Sequence, residues 1–127
     1  MPPEPRTRVL IVDHEPDILE ALRLLFEGWG CEVDVAEDAA HALKLALERH
    51  PAVAFVDIGL PGVDGYEVAR GIRAAGEHVY LVAFTGWDGD DEKERASAAG
   101  FNSYLVKPAA PEKLHEVLAR VRGDESE

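Results

Sequence analysis

A chain of 127 residues and 13.9 kDa has room for one hydrophobic core and no second one. Hydrophobic residues make up 46% and charged residues 30%, a composition that folds and does not stay disordered. Lysine plus arginine number 13 against 25 aspartate plus glutamate, and the net charge of -12 argues against direct binding to nucleic acid or anionic membrane.

Residues 1–7 are proline-rich and polar and read as a disordered segment, so the folded domain is expected over 8–122, before a charged tail at 123–127. The first apolar run, Val9–Val12, predicts a strand that ends in Asp13, followed by His14 and Glu15. Pro16 suits a first helical turn, and Ile18, Leu22, Leu25 and Phe26 form one stripe before Gly28 and Gly30 stop the helix. Cys31 leads into a second strand at Val33–Ala36 and is expected to be buried or half-buried. Asp38 caps a second helix over Ala39–Leu47, with Ala39, Leu43 and Leu47 aligned.

The third strand, Val53–Val56, ends in Asp57; Asp64 then precedes a helix over Gly65–Ala74 with Val68 and Ile72 on one face. Tyr80–Phe84 is a fourth strand leading to Thr85 and Gly86. Its helix starts at Asp90 or Asp91, where Asp91 and Glu94 have capping-box spacing, and Gly100 suits the left-handed position at the end. Ser103–Val106 is a fifth strand ending in Lys107-Pro108, and the last helix starts at Pro111 without a good cap at Ala110. One cysteine excludes an internal disulfide and a multi-cysteine metal site and suits a reducing, cytoplasmic setting. No apolar run approaches the roughly 18 residues of a membrane span.

Strands with consecutive apolar positions, alternating with amphipathic helices, predict an α/β fold: a doubly wound five-stranded parallel sheet with helices on both faces. Such sheets bind ligands beyond the carboxyl ends of their strands. Asp13, Asp57, Thr85 and Lys107 all stand there, so two carboxylates, a hydroxyl and an ammonium converge on one crevice. Taken singly, each is an ordinary turn former, cap or surface residue; as a set they make a chemical site. Clustered carboxylates suit a hard divalent cation such as Mg²⁺. Aspartate can form an acyl phosphate, and Lys107 and Thr85 would then engage the phosphoryl oxygens.

The segments VLIVDHEPDIL, AFVDIGLPGVDGYEVAR, LVAFTG and GFNSYLVKPA resemble a two-component response-regulator receiver domain, and the likeness spans Arg8 to about Arg122. The resemblance implies the (βα)5 flavodoxin-like receiver fold, with Asp57 taking phosphate from a histidine kinase or histidine phosphotransfer protein. By the same likeness Asp13 and Asp57 bind Mg²⁺ with the Gly59 carbonyl, and Thr85 is the switch hydroxyl. Lys107 pairs with phosphate, Tyr104 is the aromatic switch, and the Lys107–Pro108 bond is cis. Pro61 and Gly65 match the turn after the third strand. A downstream protein or output domain is expected on the face of the fourth helix, fifth strand and fifth helix, where family habit also places a weak homodimer.

The match departs at His14, which stands where receivers carry a second metal-binding carboxylate. Neutral imidazole suits zinc, copper or nickel better than Mg²⁺. A weakened Mg²⁺ site, with Mn²⁺ as a substitute and Glu15 helping through water, is one reading. A phosphorylation-independent pseudo-receiver that acts as a protein-binding module is another. Recruitment of a transition metal by His14 is a third, against the plainer account of a tolerated substitution. Trp87 either shades an aspartyl phosphate from water or packs on a loop, and Gly59 offers no side chain for either task. Gly59 also stands where an aspartate-dependent phosphohydrolase needs its acid–base carboxylate. A regulatory module with self-phosphorylation chemistry is therefore expected in preference to a metabolic enzyme.

Overall fold

Apolar residues on consecutive strand positions need cover on both faces of a sheet, and they find it here. The computed structural model describes residues 6–59, 64–86 and 89–123. In chain order the elements are β1 (Arg8–Val12), α1 (Pro16–Gly28), β2 (Glu32–Ala36), α2 (Ala39–Arg49) and β3 (Val53–Asp57). They continue as α3 (Gly65–Ala74), β4 (Tyr80–Thr85), α4 (Asp90–Ala99), β5 (Ser103–Val106) and α5 (Pro111–Arg122). All strand pairs are parallel and the sheet order is β2-β1-β3-β4-β5. The order reverses between β1 and β3, which sets the binding crevice at their carboxyl ends.

Alternate residues of the same strands build two unlike layers. Leu10, Val12, Ala54, Val56, Leu81 and Ala83 face one layer, closed by Ala42 and Ala46 of α2, Val68 and Ile72 of α3, and Ala96 and Ala99 of α4. Val9, Ile11, Val53, Phe55, Val82 and Phe84 face the other, closed by Leu19 and Phe26 of α1 and by Leu114, Val117 and Leu118 of α5. The first layer is rich in alanine, which lets three helices approach closely. The second is filled by aromatic rings: Phe26 and Phe55 lie 5.1 Å apart, and Phe55 and Phe84 6.3 Å. Burying each such side chain stabilises the fold by about 1.5–3 kcal/mol.

Asp38 and Asp64 cap α2 and α3 by accepting from the His41 and Glu67 N–H groups, as their positions predict. Gly100 ends α4 at φ +111°, where a side chain would be strained. The core stripe of α2 runs through Ala42 and Ala46; Leu47, aligned with the stripe in sequence, is 39% exposed. On α1 the fully buried pair is Leu19 and Phe26, with Ile18, Leu22 and Leu25 half-buried beside it. The helix is therefore rotated slightly from its predicted stripe. The Asp91–Glu94 capping box does not form, because α4 starts at Asp90 with Gly89 at the cap. Asp90, Asp91 and Glu92 instead occupy the first turn, where carboxylates meet the positive helix end. Cys31 is buried, and burial pushes its thiol pKa up while Arg122 pulls the other way.

Gly65 is the tightest steric constraint near the crevice. A Cβ there would lie 2.6 Å from both the Asp57 carbonyl oxygen and the Ile58 Cα, and both are backbone atoms with little freedom to yield. Gly65→Ala is expected to cost about 1–3 kcal/mol through this overpacking. Urea titration of the variant, with a fall in midpoint at unchanged slope, is the check.

Candidate functional site

Strand register brings the chemical residues to one level. Val12 pairs with Val56, Asp57 with Phe84, and Thr85 with Val106. Asp13 therefore emerges beside Asp57 at the head of the central strands, while Lys107 follows β5 directly and its N–H donates to the Thr85 carbonyl. Asp13, Asp57 and Thr85 are buried, the polar exceptions in an otherwise apolar set. Such groups need partners, because burying an unpaired charge is costly.

They have them. Lys107 Nζ donates to Asp13 Oδ2 at 2.8 Å and stands 3.4 Å from Asp57 Oδ2. The Glu15 N–H donates to Asp13 Oδ1 at 3.0 Å, and the Gly59 N–H donates to Asp57 Oδ1 at 2.9 Å. His14 Nδ1 stands 3.0 Å from Asp57 Oδ2 and 3.8 Å from Asp13 Oδ1. Burial works to lower the Lys107 pKa, but the hydrogen bond to Asp13 and the charges of Asp13 and Asp57 outweigh it and raise it. The same ammonium lies 5.6 Å from the centre of the Phe84 ring, on the aromatic layer of the core. The Lys107–Pro108 peptide bond is cis.

Beside Asp57 opens a cavity of about 260 Å³, lined among others by Gly59, Thr85, Tyr66, Glu92 and Arg95. Thr85 thus shares the space in front of Asp57. Tyr66 and Arg95 did not emerge from the sequence. They meet only because α3 and α4 are neighbours, with the Arg95 guanidinium 4.6 Å from the Tyr66 ring centre, and no spacing along the chain signals it. Tyr104 stands apart from the carboxylates. It pairs with Ala83 on β4, packs partly against the alanine-rich layer and lies 5.9 Å below Lys93 Nζ. Pro61 and Trp87 lie outside the described residues.

Asp13, His14 and Asp57 each offer a ligand atom, and all three atoms lie within 4.8 Å of one another. Mg²⁺ is ordinarily held through one or two carboxylates and keeps several waters. The two buried aspartates fit that requirement; the imidazole is the unusual member.

A five-stranded parallel sheet with an acidic pocket at its switch point is an architecture that binds ligands beyond its strand ends. The model of the response regulator receiver domain matches residues 9–119. The chain belongs to that family. It is 35% identical over 115 residues to the response regulator MprA of a Mycobacterium species, covering 91% of this chain and 49% of that protein. It is 34% identical over 108 residues to a 14.6 kDa protein of Leptolyngbya boryana, covering 84% and 82% of the two chains. The chain thus spans about half the length of the MprA relatives. Among solved structures, the Vibrio cholerae chemotaxis protein CheY4 superposes with a TM-score of 0.87 at 28% identity, over 92% of this chain and 99% of that one. A LuxR-family regulator from Aurantimonas gives 0.84 at 30% identity, over 94% and 87%. Receiver domains generally bind Mg²⁺ at an acidic pocket and interact with histidine kinases and output domains. No helix among the described residues is long and apolar enough to cross a membrane.

Replacing Lys107 by methionine deprives buried Asp13 of its charge partner. The lysine side chain is 20% exposed, so the expected loss is about 1–3 kcal/mol, below that of a fully buried pair. Because the Lys107 pKa is raised, this contribution is complete below the lysine's ordinary 10.5 and fades only as pH climbs through the higher folded value. Urea denaturation should therefore show the same deficit at neutral pH and at moderately alkaline pH.

Proposed function

We propose that this domain accepts a phosphoryl group on Asp57 from a phosphohistidine of a histidine kinase or phosphotransfer protein, and that the modification alters a partner-binding face. The observation that carries this reading is the setting of Asp57. Its Oδ1 is held by the Gly59 N–H, its Oδ2 faces Lys107, and the cavity in front of it is shared with Thr85. A carboxylate so fixed is oriented for in-line attack. An oxygen of Asp57 bonds to phosphorus while the P–N bond of the donor breaks and its electron pair returns to the donor imidazole. Lys107 then meets the charge spread over the equatorial oxygens, and Thr85 offers a hydroxyl. A divalent cation held by Asp13 and Asp57 would supply further positive charge to those oxygens.

The product carries about -1.5 to -2 charge and three strong acceptors. Drawing Thr85 toward them would loosen the packing beneath Tyr104, two residues along on the neighbouring strand, and shift its ring between two packings. The face affected is a groove lined by Lys93 on α4, Tyr104 on β5, Lys113 on α5 and Pro108 between the last two. A downstream protein or output domain would engage there.

The pairing of His14 with Asp57 supports a second reading, a binding module that works without phosphorylation. In that case the imidazole holds the acceptor and replaces what a metal would supply. Incubation with acetyl phosphate and a divalent cation, followed by intact-mass spectrometry, separates the two. One phosphoryl adduct is expected, absent in Asp57→Asn and lost on chelation. No adduct on folded protein would leave the binding module.

A further inference from the structure

Resting on the reading of this pocket as a metal-assisted phosphoacceptor site, we propose that His14 is itself a metal ligand. The pocket then prefers a divalent first-row transition ion over Mg²⁺.

A histidine at this position could have turned to solvent, and its side chain is 43% exposed. Its Nδ1 points inward instead, 3.0 Å from Asp57 Oδ2 and 3.8 Å from Asp13 Oδ1. For metal–ligand bonds near 2.1 Å, neighbouring donors are about 3.0 Å apart at a right angle and about 3.4 Å at a tetrahedral one. The His14–Asp57 pair thus already has the separation of two neighbouring ligands, the His14–Asp13 pair is a few tenths of an ångström wider, and all three donors lie within 4.8 Å of one another. One imidazole and two carboxylates, with room for water, is a set that Mn²⁺, Co²⁺ or Zn²⁺ accepts, whereas Mg²⁺ is poorly served by nitrogen. Coordination through Nδ1 requires that the ring carry its proton on Nε2, so binding exchanges the contact to Asp57 for a bond to the ion. Lys107 remains on Asp13 Oδ2, leaving Asp13 Oδ1 toward the imidazole side.

Co²⁺, Mn²⁺ and Mg²⁺ are titrated into the unmodified protein and into His14→Ala and His14→Asp, with circular dichroism confirming that each is folded. Calorimetry reports affinity, and Co²⁺ visible absorption reports nitrogen ligation. Expected is a preference for Co²⁺ and Mn²⁺ over Mg²⁺ of about tenfold or more, abolished in His14→Ala and reversed toward Mg²⁺ in His14→Asp. Equal affinities, a preference untouched by His14→Ala, or no binding by folded protein would each overturn the proposal. Acetyl phosphate labelling is scored separately. A His14-dependent Co²⁺ site on protein that takes no phosphoryl group supports the metal assignment while removing the phosphoacceptor reading. Labelling supported by Mg²⁺ with no preference for transition ions does the reverse.

Discussion

Two carboxylates buried side by side at the end of a hydrophobic sheet repel each other, and the upper end of this molecule is arranged around that repulsion. Asp13 and Asp57 are held at the heads of β1 and β3 by strand pairing and cannot move apart without breaking it. Their compensation comes from two directions. Lys107 arrives from the far end of the chain through β5, and backbone N–H groups of Glu15 and Gly59 reach back from the residues that follow each aspartate. The lysine gains in turn, since the same two charges hold it protonated despite burial. Two carboxylates against one ammonium leave the site with an excess of negative groups, which is the electrostatic condition for attracting a cation.

The core beneath explains why the arrangement can be both rigid and switchable. On the α1/α5 face, neighbouring tilted rings run from Phe26 through Phe55 to Phe84, and Lys107 rests above the last of them. On the opposite face, alanines carry α2 and α4, so α4 is attached through Ala96 and Ala99 with few large side chains. Its first turn is acidic and its cap makes no side-chain bond. Under the proposed function, this lightly anchored helix next to Thr85 and Tyr104 would be where a small change at Asp57 becomes a surface change.

Much of this was legible in the chain. The fold followed from apolar runs alternating with amphipathic stretches, because parallel strands covered on both faces leave that signature. Asp13, Asp57, Thr85 and Lys107 were legible as a set because a parallel sheet sends every strand end the same way. What stayed hidden depends on rotation and on neighbours distant in sequence. Leu47 looks like a core residue by spacing, but the helix turns Ala42 and Ala46 inward, since alanines allow a closer approach. Nothing in the spacing along the chain marks Arg95, and its place over Tyr66 arises only when α4 lies beside α3. For His14 the sequence gives identity without direction, and direction decides whether the ring is a surface residue or part of the pocket.

His14 and Gly59 flank Asp57 on two sides and belong together physically. Gly59 presents only backbone to Asp57, and a Cβ there would come within 3.5 Å of Oδ1, in ordinary contact. The carboxylate is therefore open on the Gly59 side and covered on the His14 side, where the imidazole meets Oδ2. Among the described residues, the cavity shared with Thr85 and Tyr66 opens on this glycine side. The imidazole lies on the flank of Asp13, outside the residues that line this cavity, where it would share a cation with the two carboxylates. Losing a carboxylate at position 14 thus alters what neutralises Asp57 more than what reaches it. The pocket keeps both aspartates and its lysine, and changes the terms on which positive charge is supplied.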